Sequence, residues 1–177
     1  YQLAAPSAAP SRTGPAVFVP RATIPSSLRR PNLVLLDSDG TVRVEDGHRW
    51  VAPLDRAFAE TIGRHLTALT GLPSASQPPA DDHLVLLLTV DRMETSGGSG
   101  NRSLFALPGM AAPKEDAILQ VTYRLEKSGG DLISTKTLTR MLALKDHTAA
   151  EYVRAQSANL AAIAGEVASA LPLTVTK

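Results

Sequence analysis

Two carboxylates, Asp37 and Asp39, close the apolar run Leu33-Val34-Leu35-Leu36 and are followed by Gly40-Thr41. Carboxylates at this spacing could hold a divalent cation, or act as nucleophile and acid/base in phosphoryl transfer. A calcium loop would use Asp37, Asp39 and Glu45 as oxygen ligands. It also needs glycine at its sixth position and a bidentate glutamate at its twelfth. Here those positions hold Val42 and His48, so the calcium reading fails. The four histidines, His48, His65, His83 and His147, lack metal-ligand spacing, and surface or boundary positions with no bound metal are expected. Gly97-Gly98-Ser99-Gly100 has no strand-turn-helix frame for a nucleophile elbow and no Gly-Lys-Ser/Thr ending for a phosphate loop. It reads as the tip of a hairpin.

The segment Leu33–Thr41 resembles the first motif of haloacid-dehalogenase-type phosphatases, in which an apolar strand ends in Asp-x-Asp-Gly-Thr. That resemblance implies Asp37 as nucleophile, Asp39 as acid/base and Mg²⁺ as the phosphate's counter-charge. Three features oppose it. The family places a helix after the motif, whereas Thr41-Val42-Arg43-Val44 continues as a strand pattern. No lysine and acidic pair follow in the required order. The Asp81-Asp82 pair precedes the strand Leu84–Thr89 instead of following it. A hairpin is the better reading, with a Ser38-Asp39-Gly40 turn, because Asp-Gly pairs tolerate the positive φ that tight hairpin turns require. No catalytic residues are expected.

The elements around this segment follow from apolar period. Residues 1–15, rich in Ala, Pro and Ser, read as an extended tether, at least from Ala4 onward. Tyr1 and Leu3 are apolar enough to pack locally. Residues 16–177 read as one globular domain. Ala16–Val19 is a short apolar segment ended by Pro20. Leu54, Phe58, Ile62, Leu66 and Leu69 form one stripe of a helix over 53–71, with Pro53 suited to its first position and Gly71 to its end. Residues 73–82 read as a loop, 84–92 as a buried strand, 95–103 as flexible and 104–107 as a short edge strand. Leu119, Val121, Tyr123 and Leu125 alternate with polar residues, and Ser128-Gly129-Gly130 turns the chain into a strand over 132–144. A second helix runs from about Ala149 to Ala170, opened by Thr148 and Glu151 at capping-box spacing and ended by Pro172. Its inner face carries Val153, Gln156, Leu160, Ile163, Val167 and Ala170. The order implies an α+β, two-layer fold: a mixed, largely antiparallel sheet with two long helices on one face.

Composition excludes several classes. The chain has 177 residues, 44% hydrophobic and 4% aromatic, so its core is aliphatic. Eighteen basic residues against 17 acidic leave a formal charge of +1, with no basic stripe for nucleic acid. The absence of cysteine excludes disulfides and thiol chemistry. The longest nearly unbroken apolar run, Leu84–Val90, is far short of the roughly 20 residues that span a bilayer. The start at Tyr1 suggests a processed or truncated chain whose targeting segment has been removed.

An ordered series of residues resembles the ABC-type transport auxiliary lipoproteins, the PqiC (paraquat-inducible protein C) family. It comprises Tyr1-Gln2-Leu3, Val17–Val19, Ile24-Pro25 with Leu28, Arg30 and Pro31, then Arg49-Trp50, Pro53-Leu54, Phe58 and Leu66. The closing helix, with Tyr152-Val153, Ala155, Ser157, Leu160, Ile163 and Val167, is also similar. The most specific stretch is Arg49-Trp50-x-x-Pro53-Leu54. Where the family shows an alternating strand ending in Trp, this chain has Leu104-Phe105-Ala106-Leu107-Pro108. The resemblance implies a lipidated cysteine upstream of Tyr1, a periplasmic domain attached to the outer membrane, and MCE-domain membrane partners in a lipid conduit. It also implies a docking role without enzymatic activity or cofactor, and ring-like homo-oligomers. A periplasmic domain holding a lipid in its own apolar cavity is the further alternative.

Arg49 and Trp50 have two readings. Trp50 can plug the core at the helix entrance, with its indole N–H on a backbone carbonyl, while Arg49 caps or salt-bridges. Alternatively they form a partner hot spot. The position of the indole before an amphipathic helix favours the first. The strand 132–144 is apolar on both faces, with Leu138, Leu142 and Leu144 opposite Ile133 and Met141. Either another chain covers its second face or the strand is central and wrapped by its own loops.

Overall fold

The computed structural model describes residues 1–4, 14–36, 42–96, 115–146 and 148–172. Its sheet has five strands: β1 (Val17–Phe18), β4 (Ser74–Ala75), β5 (Leu84–Ser96), β6 (Asp116–Lys127) and β7 (Leu132–Ala143), in the order β4-β1-β5-β6-β7. β1 runs parallel to β4 and β5, whereas β5, β6 and β7 form long antiparallel ladders. β2 (Asn32–Leu36) and β3 (Val42–Arg49) pair antiparallel as a separate two-stranded sheet. Helices α1 (Leu54–Thr70) and α2 (Ala149–Ala170) pack against each other, and α2 lies on β6 and β7. The chain is thus an α+β protein with a mixed sheet, as expected. None of the described helices is long and apolar enough to cross a membrane.

The core forms where the two periods meet. Leu119, Val121, Tyr123 and Leu125 are buried, as are Leu160, Ile163 and Val167 of α2. Their alternation on β6 and their three-to-four spacing on α2 turn both apolar rows to one interface. Leu54, Phe58, Ile62 and Leu66 are buried on α1, but Leu69 is 52% exposed, contrary to the expected stripe. The inner row advances by four residues to Thr70, whose hydroxyl donates to the Leu66 carbonyl at 2.7 Å. Gly71 ends the helix at φ 75°, a left-handed value that favours glycine. Pro53 is the cap residue and not the first helical position. Its carbonyl accepts from the amides of Arg56 and Ala57 at 3.1 and 2.9 Å.

Several elements depart from expectation. The loop over 73–82 contains β4, since Val17 donates to the Pro73 carbonyl and Val19 to the Ala75 carbonyl. β3 continues past Val44 to Arg49. Thr95 and Ser96 belong to β5 instead of a flexible tip. β7 is an edge strand, not a central one. Leu138 is buried, Met141 is 57% exposed, and Ile133 is dropped by a register shift yet packs on the core with Leu142 and Leu144. The capping box is altered as well. Thr148 Oγ1 accepts from the Glu151 amide at 3.2 Å, but the Thr148 amide turns to Asp146, and Glu151 reaches back to the Lys145 amide at 3.0 Å.

The tether expected over residues 1–15 is shortened at its start. Leu3 is 1% exposed within the core, because an apolar side chain at the head of a polar segment gains by burial. The remainder of that segment at 5–13 lies outside the described residues, as do Asp37–Thr41, the stretch 97–114 with the expected edge strand 104–107, and His147.

Candidate functional site

The sequence singled out Arg49, Trp50, Pro53 and Leu54, and the structure brings them together where β3 hands over to α1. Trp50 is 9% exposed and belongs to the core, and Leu54 is buried beside it in sequence. Arg49 and Pro53 are exposed. The Trp50 amide donates to the Pro31 carbonyl at 2.9 Å, locking the end of β3 onto the start of β2. In the first turn of α1, the Asp55 carbonyl accepts from the Ala22 amide at 3.1 Å. That bond ties the helix to the segment whose next residue, Thr23, pairs with β5 at Thr89.

The sequence left room for Tyr1 and Leu3 to pack locally, and the structure makes Tyr1–Ala4 the third member of this junction. The Tyr1 amino group donates to the Arg49 carbonyl, and the Val51 amide donates to the Tyr1 carbonyl at 3.0 Å. These two bonds straddle Trp50 as in a parallel strand pair. The Tyr1 ring lies 5.2 Å from that of His48. Beyond it, Leu3 enters the core, the Ala4 amide donates to Ser157 Oγ at 3.3 Å, and the Ala4 carbonyl lies 3.2 Å from His65 Nε2. Four residues therefore strap β3, α1 and α2 together. The apolar Tyr1 and Leu3 were the signal available in the sequence. Burial pushes the His65 imidazole pKa down from its ordinary value. The Ala4 carbonyl acts in the opposite sense, and Arg64 adds a smaller downward effect.

Beside the strap, an open groove of about 570 Å³ runs between the helices, lined by Ala4, His65, Val153, Ser157 and Ala161 among others. Arg154 at its rim is held by Glu151 through two bonds of 2.6 Å. That pairing, with the Lys145 amide, pulls the Glu151 carboxyl down to about 2. Under the opposite face of α2, Gln156 Nε2 donates to the Ile118 carbonyl at 3.1 Å and Asn159 Nδ2 to the Ala117 carbonyl at 2.9 Å. Both amides are buried and pin the helix to β6.

The phosphatase-like motif does not find its context. Its apolar run is β2, which pairs antiparallel with β3, and β3 follows where that chemistry requires a helix. Asp37 and Asp39 lie outside the described residues. His48, His65 and His83 are placed separately, on β3, on α1 and before β5. Among the described residues, no group of three or more His, Asp or Glu is placed to hold a metal ion.

The model of a protein family described as an ABC-type transport auxiliary lipoprotein component matches residues 1–168. No curated protein matches the chain. A solved uncharacterized protein shares the fold with a TM-score of 0.74 at 19% identity, over 96% of this chain and 95% of its own. Protein XCC0632 from Xanthomonas campestris superposes with a TM-score of 0.68 at 14% identity, over 94% and 88%. The hypothetical protein CT253 from Chlamydia trachomatis follows at 0.53 and 10% identity, over 89% and 97%. At these identities the likeness is one of fold.

Proposed function

Because the chain belongs to the family of ABC-type transport auxiliary lipoprotein components, we propose that it is a non-enzymatic docking and tethering component of an MCE-type lipid-transport system between inner and outer membranes. In this reading a lipid anchor upstream of Tyr1 fixes it to the outer membrane, and the domain stands in the periplasm. There it binds an MCE-domain membrane protein and assembles with copies of itself. The observation that carries the reading is the family match, which spans the strap, the hairpin, α1, the whole sheet and α2 to its last turn. The exposed Leu132 and Met141 on edge strand β7 support self-association, since an unpaired edge with apolar side chains is a ready pairing surface.

The test is a pull-down with the full lipidated protein from its own membranes, followed by size measurement. Co-purification of an MCE-domain protein in a particle larger than one chain is expected. Recovery of a lone monomer overturns the reading. Mg²⁺-dependent turnover of a phosphoester, abolished by Asp37→Asn, would restore the enzymatic alternative. A second reading, lipid binding by the domain itself, has the groove between α1 and α2 in its favour. Retention of phospholipid by the purified chain, lost on Ala161→Trp, would select it.

A further inference from the structure

We propose that the corner formed by Tyr1, Arg49 and Val51 is the face this domain lays on a bilayer, its occupant the anionic headgroup layer of a phospholipid membrane. The proposal rests on the lipoprotein reading and adds to it an orientation.

The geometry begins with the strap. Tyr1 is bonded through both its amino group and its carbonyl to the backbone of Arg49 and Val51. Leu3 is buried and Ala4 is bonded to Ser157. Nothing between Tyr1 and Ala4 can therefore act as a stalk. Any group attached ahead of Tyr1 leaves the body at this corner, and an anchor joined closely to Tyr1, as the lipoprotein reading has it, would bring the corner to the membrane.

The surface at that point has the composition an interface needs. Val51 is 78% exposed, the highest value for a large apolar side chain among the described residues. Tyr1 is half-buried, and its ring rests near that of His48. Arg29, Arg30 and Arg49 are exposed. The bond from the Trp50 amide to the Pro31 carbonyl brings the segment that carries Arg30 alongside the one that carries Arg49 and Val51. Guanidinium groups complement anionic headgroups, and an exposed valine with an aromatic neighbour suits the headgroup-acyl boundary.

The opposite end of the domain supplies a control. Val51 precedes the start of α1, a helix of 17 residues, whereas Leu132 lies in the row of Glu126 and Val85, where α1 has ended and β4 begins. Leu132 is also exposed, at 53%.

The chain has no cysteine, so Val51→Cys and Leu132→Cys each give one labelling position. The full chain, carrying a histidine tag ahead of Tyr1, is bound to vesicles of phosphatidylethanolamine and phosphatidylglycerol doped with nickel-chelating lipid. An environment-sensitive fluorophore at position 51 should shift to the blue and lose access to an aqueous quencher, with neither change at 132. Replacing Arg29, Arg30 and Arg49 by Gln, or raising the salt, should diminish the shift. A label at 51 that stays fully aqueous on vesicle-bound protein overturns the proposal, and so does an equal response at both positions. The tag supplies the anchor, so the outcome is independent of native lipidation, which the mass of the mature protein from its own membranes reads separately.

Discussion

The amide of Ala4 donates to Oγ of Ser157 at 3.3 Å, across 153 positions of chain. Ser157 returns its own proton to the Val153 carbonyl at 2.7 Å, as a serine in mid-helix does. One hydroxyl thus serves α2 and the N-terminal strap together.

The strap should matter for stability. Leu3 is 1% exposed, and truncating a buried leucine removes transfer energy and leaves a cavity. Leu3→Ala should cost about 2–5 kcal/mol in denaturant unfolding. A loss within error of zero would return residues 1–4 to the tether.

Trp50→Ala should cost about 3–5 kcal/mol, the range for a large aromatic removed from a core. The residue holds the entry to α1 and is 9% exposed. Unchanged thermal stability with lost partner binding would instead make Trp50 an interface residue.

Much of this fold could be read in the residues because period reports burial. The alternation of Leu119–Leu125 and the spacing of Leu160, Ile163 and Val167 each specify one buried face. What escaped has no local pattern. Ser74–Ala75 is a strand only because Val17–Phe18 lies alongside it, a non-local pairing of two short segments. Leu69 has the right spacing and the wrong side, since Leu66 can be continued at three or at four residues and Thr70 takes the inner place. Glu151 stands at capping-box spacing, but Asp146 already accepts from the Thr148 amide, which frees the glutamate for Lys145 and Arg154. At the junction, Arg49, Trp50, Pro53 and Leu54 were legible as a cluster, whereas the docking of Tyr1 onto them depends on a contact across 48 positions of chain and is invisible to spacing.

The two buried amides of α2 should respond differently to substitution. Asn159→Ala removes the donor to the Ala117 carbonyl and should cost about 1–3 kcal/mol. Gln156 bonds Ile118 through its Nε2 while its Oε1 finds no partner among the described residues. Gln156→Met gives up the bond to Ile118 and a long one of 3.5 Å to the Glu94 carbonyl, but it also removes a buried oxygen without a described partner, so its cost should be about 1 kcal/mol or less. Chemical denaturation of both variants checks the order, and a larger loss for Gln156→Met would contradict it.

Acid should loosen the start of α2 through Glu151. Its carboxylate accepts two bonds from Arg154 and one from the Lys145 amide, and its pKa falls to about 2, mainly through the Arg154 pairing. A carboxyl whose folded pKa lies below its unfolded one binds fewer protons when folded. The stability it contributes is complete above the unfolded value, about 4.3. It declines as pH falls below that value and is exhausted once pH passes through about 2. Glu151→Gln keeps an acceptor for the Lys145 amide but removes the charge. The variant should be less stable than the parent at neutral pH, and the gap should narrow steadily between pH about 4.3 and about 2. Unfolding midpoints of the two proteins across that window decide the matter. Parallel curves would mean that the Arg154 pairing adds nothing to folding, as exposed ion pairs often do not. In that case Glu151 would serve α2 only through its bond to the Lys145 amide.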